Sequence, residues 1–164
     1  ASSISFVSMK NAEIAEAHSF GALSGSVDAA GQAEVEIALA SVATGIDIRD
    51  ERMRELLFNV AATPVATVTA EVPLATLETL AIGARETMTL PVTVAANGET
   101  ARYDALVHVT RIGEGRVSVS SAAPILVEAW EFGYQDGIAR LQEIAGLDSI
   151  QLAVPVGFDL VFAK

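Results

Sequence analysis

Apolar side chains recur at every second position in short runs along the chain. In "AEVEIALAS", Val35, Ile37 and Leu39 alternate with Glu34 and Glu36. Because successive side chains of a β-strand point to opposite faces, this period of two predicts strands that each have one apolar face. The same alternation returns at residues 4–6, 66–72, 88–94, 103–109 and 152–162.

The last run, "IQLAVPVGFDLVFAK", shows the alternation most clearly. Its apolar face carries Leu152, Val154, Val156, Phe158, Leu160 and Phe162. Pro155 and Gly157 fall on the other face and predict a bulge, or a bend of the kind that closes a barrel.

Turn residues join neighbouring runs. Asn97-Gly98 suits a tight hairpin turn, and "RIGEGR" at 111–116 is expected to join the next pair, so these neighbours are predicted to be antiparallel. Including weaker runs, the chain contains about eight strands, a number at which a sheet can close and hold a slender ligand. A two-sheet sandwich is the structural alternative.

Three segments depart from the strand period and predict short helices. Residues 47–57 place Met53, Leu56 and Leu57 on one stripe, with Asp47 as the expected N-cap. The other two segments are 73–83 and 137–147. The predicted fold is therefore all-β, an eight-stranded antiparallel barrel with two or three short helices, in a single domain over residues 1–164.

Composition narrows the function classes. The net charge of −11 opposes binding to nucleic acid, and the absence of cysteine removes disulfides and cysteine nucleophiles. Although 51% of the residues are hydrophobic, no stretch approaches the roughly 20 apolar residues of a spanning helix. The chain starts at Ala1 without a methionine, and we expect it to be processed or cut from a longer precursor.

The inward-facing residues are mostly small or branched aliphatics, and only 5% of the chain is aromatic. Such residues can fill an ordinary core, or they can leave an apolar void along a barrel axis. A dry apolar void favours an oily ligand over water.

Catalytic and metal-binding patterns are weak. His18 and His108 are the only histidines, and no Gly-x-Ser-x-Gly motif occurs, so neither a metal site nor a catalytic site is predicted. His18 remains a candidate hydrogen-bond partner for a ligand head group. Trp130 is expected either to pack in or plug the barrel, or to contact the ligand.

The order of several motifs resembles a known family. "ISFVSMKNAEIAEAHSF", "LSGSVD", "VEIALASVATGIDIRDERMRELLF" and "PVATVTAEV" follow one another as they do in the YceI-like polyisoprenoid-binding proteins. The resemblance implies an extended lipocalin-like barrel whose apolar pore takes up a polyprenyl tail or an isoprenoid quinone. It also implies a periplasmic or otherwise exported protein.

These observations lead to one principal hypothesis: the chain binds a long-chain isoprenoid lipid or ubiquinone-like quinone, without catalysis, for storage, transport or sensing. No other cofactor is expected, and a homodimer is compatible with this function. The alternatives are another lipid such as a fatty acid, an interaction or adhesion module of a larger exported protein, or an enzyme acting on a lipid head group. The expected ligand-binding residues are Phe6, His18, Phe20, Ile37, Leu39, Met53, Leu57, Phe58, Val68, Val92, Val94, Val107, Val109, Val119, Val127, Trp130, Phe132, Leu152, Val154, Val156, Phe158 and Leu160.

Residues 41–58 contain an unusually dense cluster of charged residues, with three arginines and four acids. Their charges nearly cancel, so the segment is no anion site. We interpret it as a lid or plug, held by its own ion pairs, whose apolar side seals or lines part of the pore.

Overall fold

A single antiparallel sheet of eleven β-segments dominates the computed structural model, which describes residues 2–163. The strands are β1 (Ser3–Lys10), β2 (Ile14–Phe20), β3 (Leu23–Val27), β4 (Gln32–Ala38), β5 (Val42–Ala43), β6 (Val65–Glu71), β7 (Arg85–Ala96), β8 (Glu99–Gly113), β9 (Arg116–Ser121), β10 (Ile125–Glu128) and β11 (Ala153–Ala163). The helices are α1 (Asp47–Arg52), α2 (Leu74–Thr79) and α3 (Gln135–Ala145).

The eleven segments follow eight strand paths, because three strands are interrupted. β2 continues into β3, β4 into β5, and β9 into β10. The first two interrupted strands pair with each other, since β3 pairs with β4 and β2 with β5. Two backbone hydrogen bonds cross the gap, from the Gly21 N–H to the Ser41 carbonyl (3.2 Å) and from the Ala38 N–H to the Ala22 carbonyl (3.0 Å).

This pairing brings the two ends of the sheet together. The hydrogen-bonded order runs from β3 through β4, β6, β7, β8, β9, β11 and β1 to β2, and the chain itself links β2 to β3. The predicted all-β antiparallel barrel is confirmed. The two-sheet sandwich is wrong, because one ladder of strands continues around the molecule.

The break between β9 and β10 lies beside the end of the chain where a bend was predicted. Ser120 pairs with Asp159 and Ile125 pairs with Val156, so residues 121–124 stand opposite residues 157–158. The Ser121 hydroxyl spans the irregularity by accepting from the Phe158 N–H at 3.1 Å. The extra residues therefore belong to the partner strand, while β11 itself is continuous.

The predicted hairpin turn at Asn97-Gly98 is confirmed. Both residues have positive φ, 53° and 77°, and they connect β7 to β8. These angles are those of a type I′ turn, which asparagine and glycine tolerate best.

All three predicted helical segments are present. α1 continues into a π-helical turn at Met53–Leu57. The predicted N-cap is wrong, because Asp47 is already helical and the preceding Ile46 offers no side-chain cap. Instead, the Asp50 carboxylate stabilises the segment that leads into the helix, by accepting a hydrogen bond from the Thr44 backbone N–H at 2.9 Å. None of the helices in residues 2–163 has the length and apolar character needed to cross a membrane.

Candidate functional site

An apolar cavity of about 290 Å³ lies inside the barrel. Its lining consists of aliphatic and phenylalanine side chains with one exception, Tyr134. Charged side chains do not line it within residues 2–163. The interior therefore offers a ligand almost exclusively apolar contact.

The strand alternation builds this lining. On β4, Val35 and Ile37 are buried against the cavity while Glu34 and Glu36 are exposed on the outer face. On β8, Val107 is almost wholly buried and also lines the cavity. β4 thus turns its aliphatic side chains inward and its glutamates toward water.

The cavity extends along the strands between two core clusters. Ala66 of β6 packs in one cluster, and Val72, which directly follows β6, packs against the other. Leu77 of α2 lines the cavity from the second cluster, and Phe58 after the π-helical turn lines it from the first. Helical segments therefore contribute to the cavity at both ends.

A chain of neighbouring rings occupies the end that Phe58 lines. Successive ring centroids are 5.2, 5.4, 5.7, 5.6 and 6.2 Å apart. We call this set the aromatic arc; in order, its members are His18, Phe6, Phe20, Phe58, Tyr134 and Phe132. Every member except His18 lines the cavity.

Tyr134 is the one residue of the lining whose side chain carries a polar atom. Its hydroxyl oxygen is buried and has no hydrogen-bond partner among residues 2–163. Burial raises the pKa of this phenol to about 12, so the group stays protonated at neutral pH. It can therefore both donate and accept a hydrogen bond.

His18 lies beside the cavity rather than in its lining. The residue is only 4% exposed, and its Nε2 is 2.6 Å from the Ser8 hydroxyl oxygen. Its Nδ1 has no partner within residues 2–163. Burial, with the nearby Arg49 cation, lowers the pKa of the imidazole and favours its neutral form.

The ion pairs of the charged cluster at residues 41–58 differ from those expected from the sequence. Arg49 pairs with Glu16 on β2 at 2.9 Å, and Lys10 on β1 reaches the same carboxylate at 2.8 Å. Hydrogen bonds from Lys10 and Arg49 lower the pKa of Glu16 to about 2. The expectation that α1 is held by its own ion pairs is wrong, because this pairing ties the helix to the β1–β2 hairpin.

Two of the three residues on the predicted apolar stripe of this segment face the interior, and the third, Leu56, is half-buried outside the lining. Leu57 lines the cavity, whereas Met53 is buried in the adjoining core cluster. The segment therefore has a charged exterior and contributes to the wall of the cavity.

Most of the expected ligand-binding residues share this cavity. Those in the lining are Phe6, Phe20, Ile37, Leu39, Leu57, Phe58, Val68, Val92, Val94, Val107, Val109, Val119, Val127, Phe132, Val154, Val156, Phe158 and Leu160.

Four expected residues lie outside the lining: His18, Met53, Trp130 and Leu152. Trp130 is 60% exposed, because the short 3₁₀ turn at Ala129–Phe132 buries Ala129 and Phe132 and leaves Trp130 outside. Leu152 is 38% exposed, since it precedes the first residue of β11.

The sequence reasoning missed other lining residues. Several continue a strand alternation that was already recognised, so extending the pattern would have found them: Ile4, Val35, Ala66, Ala70, Val72, Leu90 and Phe162. The helical segments and neighbouring loops supply Leu77, Tyr134 and Ile138, for which the strand pattern gave no signal. Ala33, Ala96, Ile125 and Ala129 complete the lining.

Candidate metal ligands do not gather anywhere in the described part of the chain. Groups of three or more histidine, aspartate or glutamate side chains suitable for a metal ion are absent from residues 2–163. The distinctive chemistry of the site is thus apolar burial.

An antiparallel barrel closed around an apolar interior defines the structural class of this protein. The chain belongs to the YceI-like domain family, whose model matches residues 1–162. The family resemblance seen in the sequence is therefore confirmed. No protein with a curated description matches the chain.

Solved structures share the fold. A polyisoprenoid binding domain from Saccharophagus degradans, implicated in plant cell wall breakdown, is 37% identical with a TM-score of 0.96, covering 99% of this chain and 94% of that one. Burkholderia cenocepacia BcnA is 17% identical with a TM-score of 0.73, covering 98% and 95%. The Campylobacter jejuni YCEI protein is 13% identical with a TM-score of 0.64, covering 90% and 84%. The last two likenesses concern the fold alone.

Proposed function

We propose that this protein binds the hydrocarbon tail of a long-chain isoprenoid lipid in its interior cavity, without catalysing a reaction. The observation that carries the proposal is the lining itself, which is apolar throughout apart from the Tyr134 hydroxyl. The Saccharophagus degradans relative, a polyisoprenoid binding domain at 37% identity, supports the same choice of ligand.

The chemistry of the tail suits such a lining. An isoprenoid chain is branched and flexible and has no hydrogen-bonding groups, so burial alone can bind it. At about 0.8 kcal/mol per buried CH₂, a five-carbon unit contributes about 3–4 kcal/mol before ordering costs. A few buried units therefore give tight binding.

The volume bears on how the tail fits. The cavity of about 290 Å³ is about twice the size of an engineered apolar cavity of about 150 Å³ that binds benzene. It accepts a short part of the tail as it stands. We expect the aliphatic side chains of the lining to rearrange as more of the tail enters.

The test is to look for the lipid directly. Native mass spectrometry and organic extraction of the purified protein should reveal a bound long-chain isoprenoid, and delipidated protein should take up added isoprenoid quinone. Protein that is free of lipid and also refuses added quinone would contradict the proposal. Uptake of fatty acid in preference to isoprenoid would show that the ligand is a fatty acid.

We further propose that the protein works outside the cytoplasm, in the periplasm or as a secreted protein, to store, carry or sense its lipid. Fractionation of the producing cells tests the location. Recovery of the mature protein only in the cytoplasmic fraction would contradict it.

A further inference from the structure

The barrel wall contains a gap beside the ladder that closes it, between β8 and β10. Strand β8 pairs with β7 along residues 99–110, but its pairing with β9 begins only at Val107, which lies opposite Ser121. The extra residues 121–124 end this pairing, and β10 then pairs with β11 alone. Residues 99–105 of β8 and β10 are therefore neighbours in the wall that are not paired with each other. We call the gap between them the seam.

Two side-chain hydrogen bonds span the seam. The Tyr103 hydroxyl, from β8, donates to the Glu131 carboxylate in the 3₁₀ turn after β10. Asn97, in the turn before β8, donates from Nδ2 to the Phe132 carbonyl at 2.8 Å. Burial, with the hydrogen bond to Glu131, raises the pKa of the Tyr103 phenol, so this group stays protonated and donates. The seam is thus closed by side chains, and Tyr103 also packs against both core clusters.

Apolar residues border the seam on the inside and on the outside. Val107 of β8 and Ile125 and Val127 of β10 line the cavity. Their neighbours in sequence, Leu106 and Leu126, are exposed on the outer face, by 41% and 61%. A hydrocarbon that passes through the seam therefore meets apolar side chains all the way from the outer face to the cavity.

Other routes into the cavity require more of the structure to open. Helical segments contribute to the wall at both ends, through Phe58 and Leu77. Between paired strands such as β7 and β8, a tail can enter only if consecutive backbone hydrogen bonds break together. At the seam, only the side-chain hydrogen bonds of Tyr103 and Asn97 join the two sides.

We propose that the seam is the portal through which the lipid enters and leaves the cavity, and that Tyr103 and Glu131 form the latch that holds it closed. This inference rests on the proposed function and concerns the route of the ligand, not its class. Opening requires the Tyr103 side chain to rotate away from Glu131, while the ladder that closes the barrel stays intact. Because the latch closes the empty and the loaded protein alike, it sets the rate of exchange and not the affinity.

The first experiment locks the seam covalently. Because the chain has no cysteine, Tyr103→Cys combined with Glu131→Cys gives a unique pair that a short bis-maleimide can join. The control is Thr69→Cys combined with Thr93→Cys, a directly opposed pair on the paired strands β6 and β7. Each delipidated protein is loaded with squalene, an isoprenoid hydrocarbon, and then cross-linked. Native mass spectrometry follows the release of squalene to an excess of phosphatidylcholine vesicles.

We expect the cross-link at the seam to abolish most of the squalene release that the same variant shows before cross-linking. The cross-link between β6 and β7 should leave the release rate unchanged, because no lipid passes there. Before cross-linking, the seam variant should release squalene faster than wild type, since it lacks the latch.

The second experiment keeps the fold as close to wild type as possible. Tyr103→Phe retains the ring and removes the hydroxyl. Loss of one hydrogen bond to a carboxylate from the closed state should raise the rates of squalene uptake and release about tenfold each and leave the equilibrium affinity unchanged. Thr87→Val is the matched control. It removes a hydrogen bond to His108 across the paired strands β7 and β8, and both rates should stay at the wild-type values.

The outcomes separate the two proposals. If the seam cross-link leaves squalene release unchanged, the portal is wrong and the proposed function stands, because the protein still binds squalene. Equal slowing by the control cross-link also overturns the portal, since it shows that release needs a general loosening of the barrel. If Tyr103→Phe changes the affinity but neither rate, the latch is wrong. If the wild type binds neither squalene nor an isoprenoid quinone, the proposed function and the portal both fail.

Discussion

Gly137 of α3 lies directly against the backbone of Leu56 in the π-helical turn. A Cβ at position 137 would stand 2.6 Å from the Leu56 carbonyl oxygen and 3.0 Å from the Leu57 α-carbon. Both neighbouring atoms belong to the backbone and cannot move aside as a flexible side chain would. This contact sets the separation between the helical segments that place Leu57 and Ile138 in the cavity wall.

Replacing Gly137 by alanine should therefore destabilise the protein. Alanine is favoured over glycine in a helix by about 1 kcal/mol, but forcing the two helical segments apart costs more, typically 1–3 kcal/mol for an overpacked site. We expect the net free energy of unfolding in urea to fall by about 1–2 kcal/mol. Gly21→Ala is the control, since a Cβ there meets nothing within 4 Å. If Gly137→Ala and wild type were equally stable, the two helical segments could move apart without loss of stability, contrary to this prediction.

The ion-pair group around Glu16 predicts a pH dependence of stability. Because the folded pKa of Glu16 is lowered from 4.5 to about 2, its contribution is fully present above pH 4.5 and is lost as the pH falls from 4.5 toward 2. The side chains of the pairs are a quarter to a third exposed, so solvent screening limits this contribution to about 1 kcal/mol.

Glu16→Gln tests this dependence. The variant should be about 1 kcal/mol less stable than wild type at pH 7, and the difference should vanish near pH 2. Urea unfolding at a series of pH values measures both quantities. Glu36→Gln is the control, because Glu36 is exposed on the outer face of β4 and forms no ion pair within residues 2–163. A difference that stays constant with pH would refute the role of the Glu16 carboxylate.

Blocking the cavity should reduce lipid uptake without unfolding the barrel. Val156 lines the cavity on β11, and a tryptophan there fills space that the lipid tail needs. We expect Val156→Trp to lower quinone uptake at least tenfold, which is the loss of about two buried CH₂ groups at ~0.8 kcal/mol each. Val161→Trp is the matched control, since Val161 lies on the same strand outside the lining. Unchanged uptake by a folded Val156→Trp would place the lipid elsewhere.

Trp130, the only tryptophan, offers a fluorescence test of its position. Because its side chain is exposed, we expect emission typical of a solvated indole and efficient quenching by acrylamide. Filling the cavity with squalene, which lacks a quinone ring, should leave both properties unchanged. Protection of the tryptophan from acrylamide by squalene would show that Trp130 contacts the lipid, as the sequence reasoning expected.

The strand part of the site could be predicted from the sequence, since the period of two decides which side chains face inward. Val107 and Val156 were found in this way, and both line the cavity. The period of two gives no information where the chain leaves the strands. Trp130 follows β10 in a short turn whose direction depends on the contacts of Phe132, so its local sequence gave no orientation.

Tyr134 is the opposite case, a cavity residue that the sequence did not predict. It lies just before α3, where the predicted apolar stripe began only at residue 138, and a single tyrosine in a loop gives no sequence signal for a cavity. Its role as the one polar group of the lining depends on how Phe58 and Phe132, distant in the chain, meet it. Such a convergence can be seen only once the barrel is assembled.

The nearly unbroken apolar lining also determines how lipid uptake should appear in a calorimeter. Because the lining is almost wholly apolar, water forms few hydrogen bonds in the cavity. An entering lipid therefore displaces few ordered water molecules from the protein. Association with such a poorly hydrated pocket is commonly driven by enthalpy at 25 °C, with a negative change in heat capacity. Uptake should therefore release heat, and the heat released should grow as the temperature is raised.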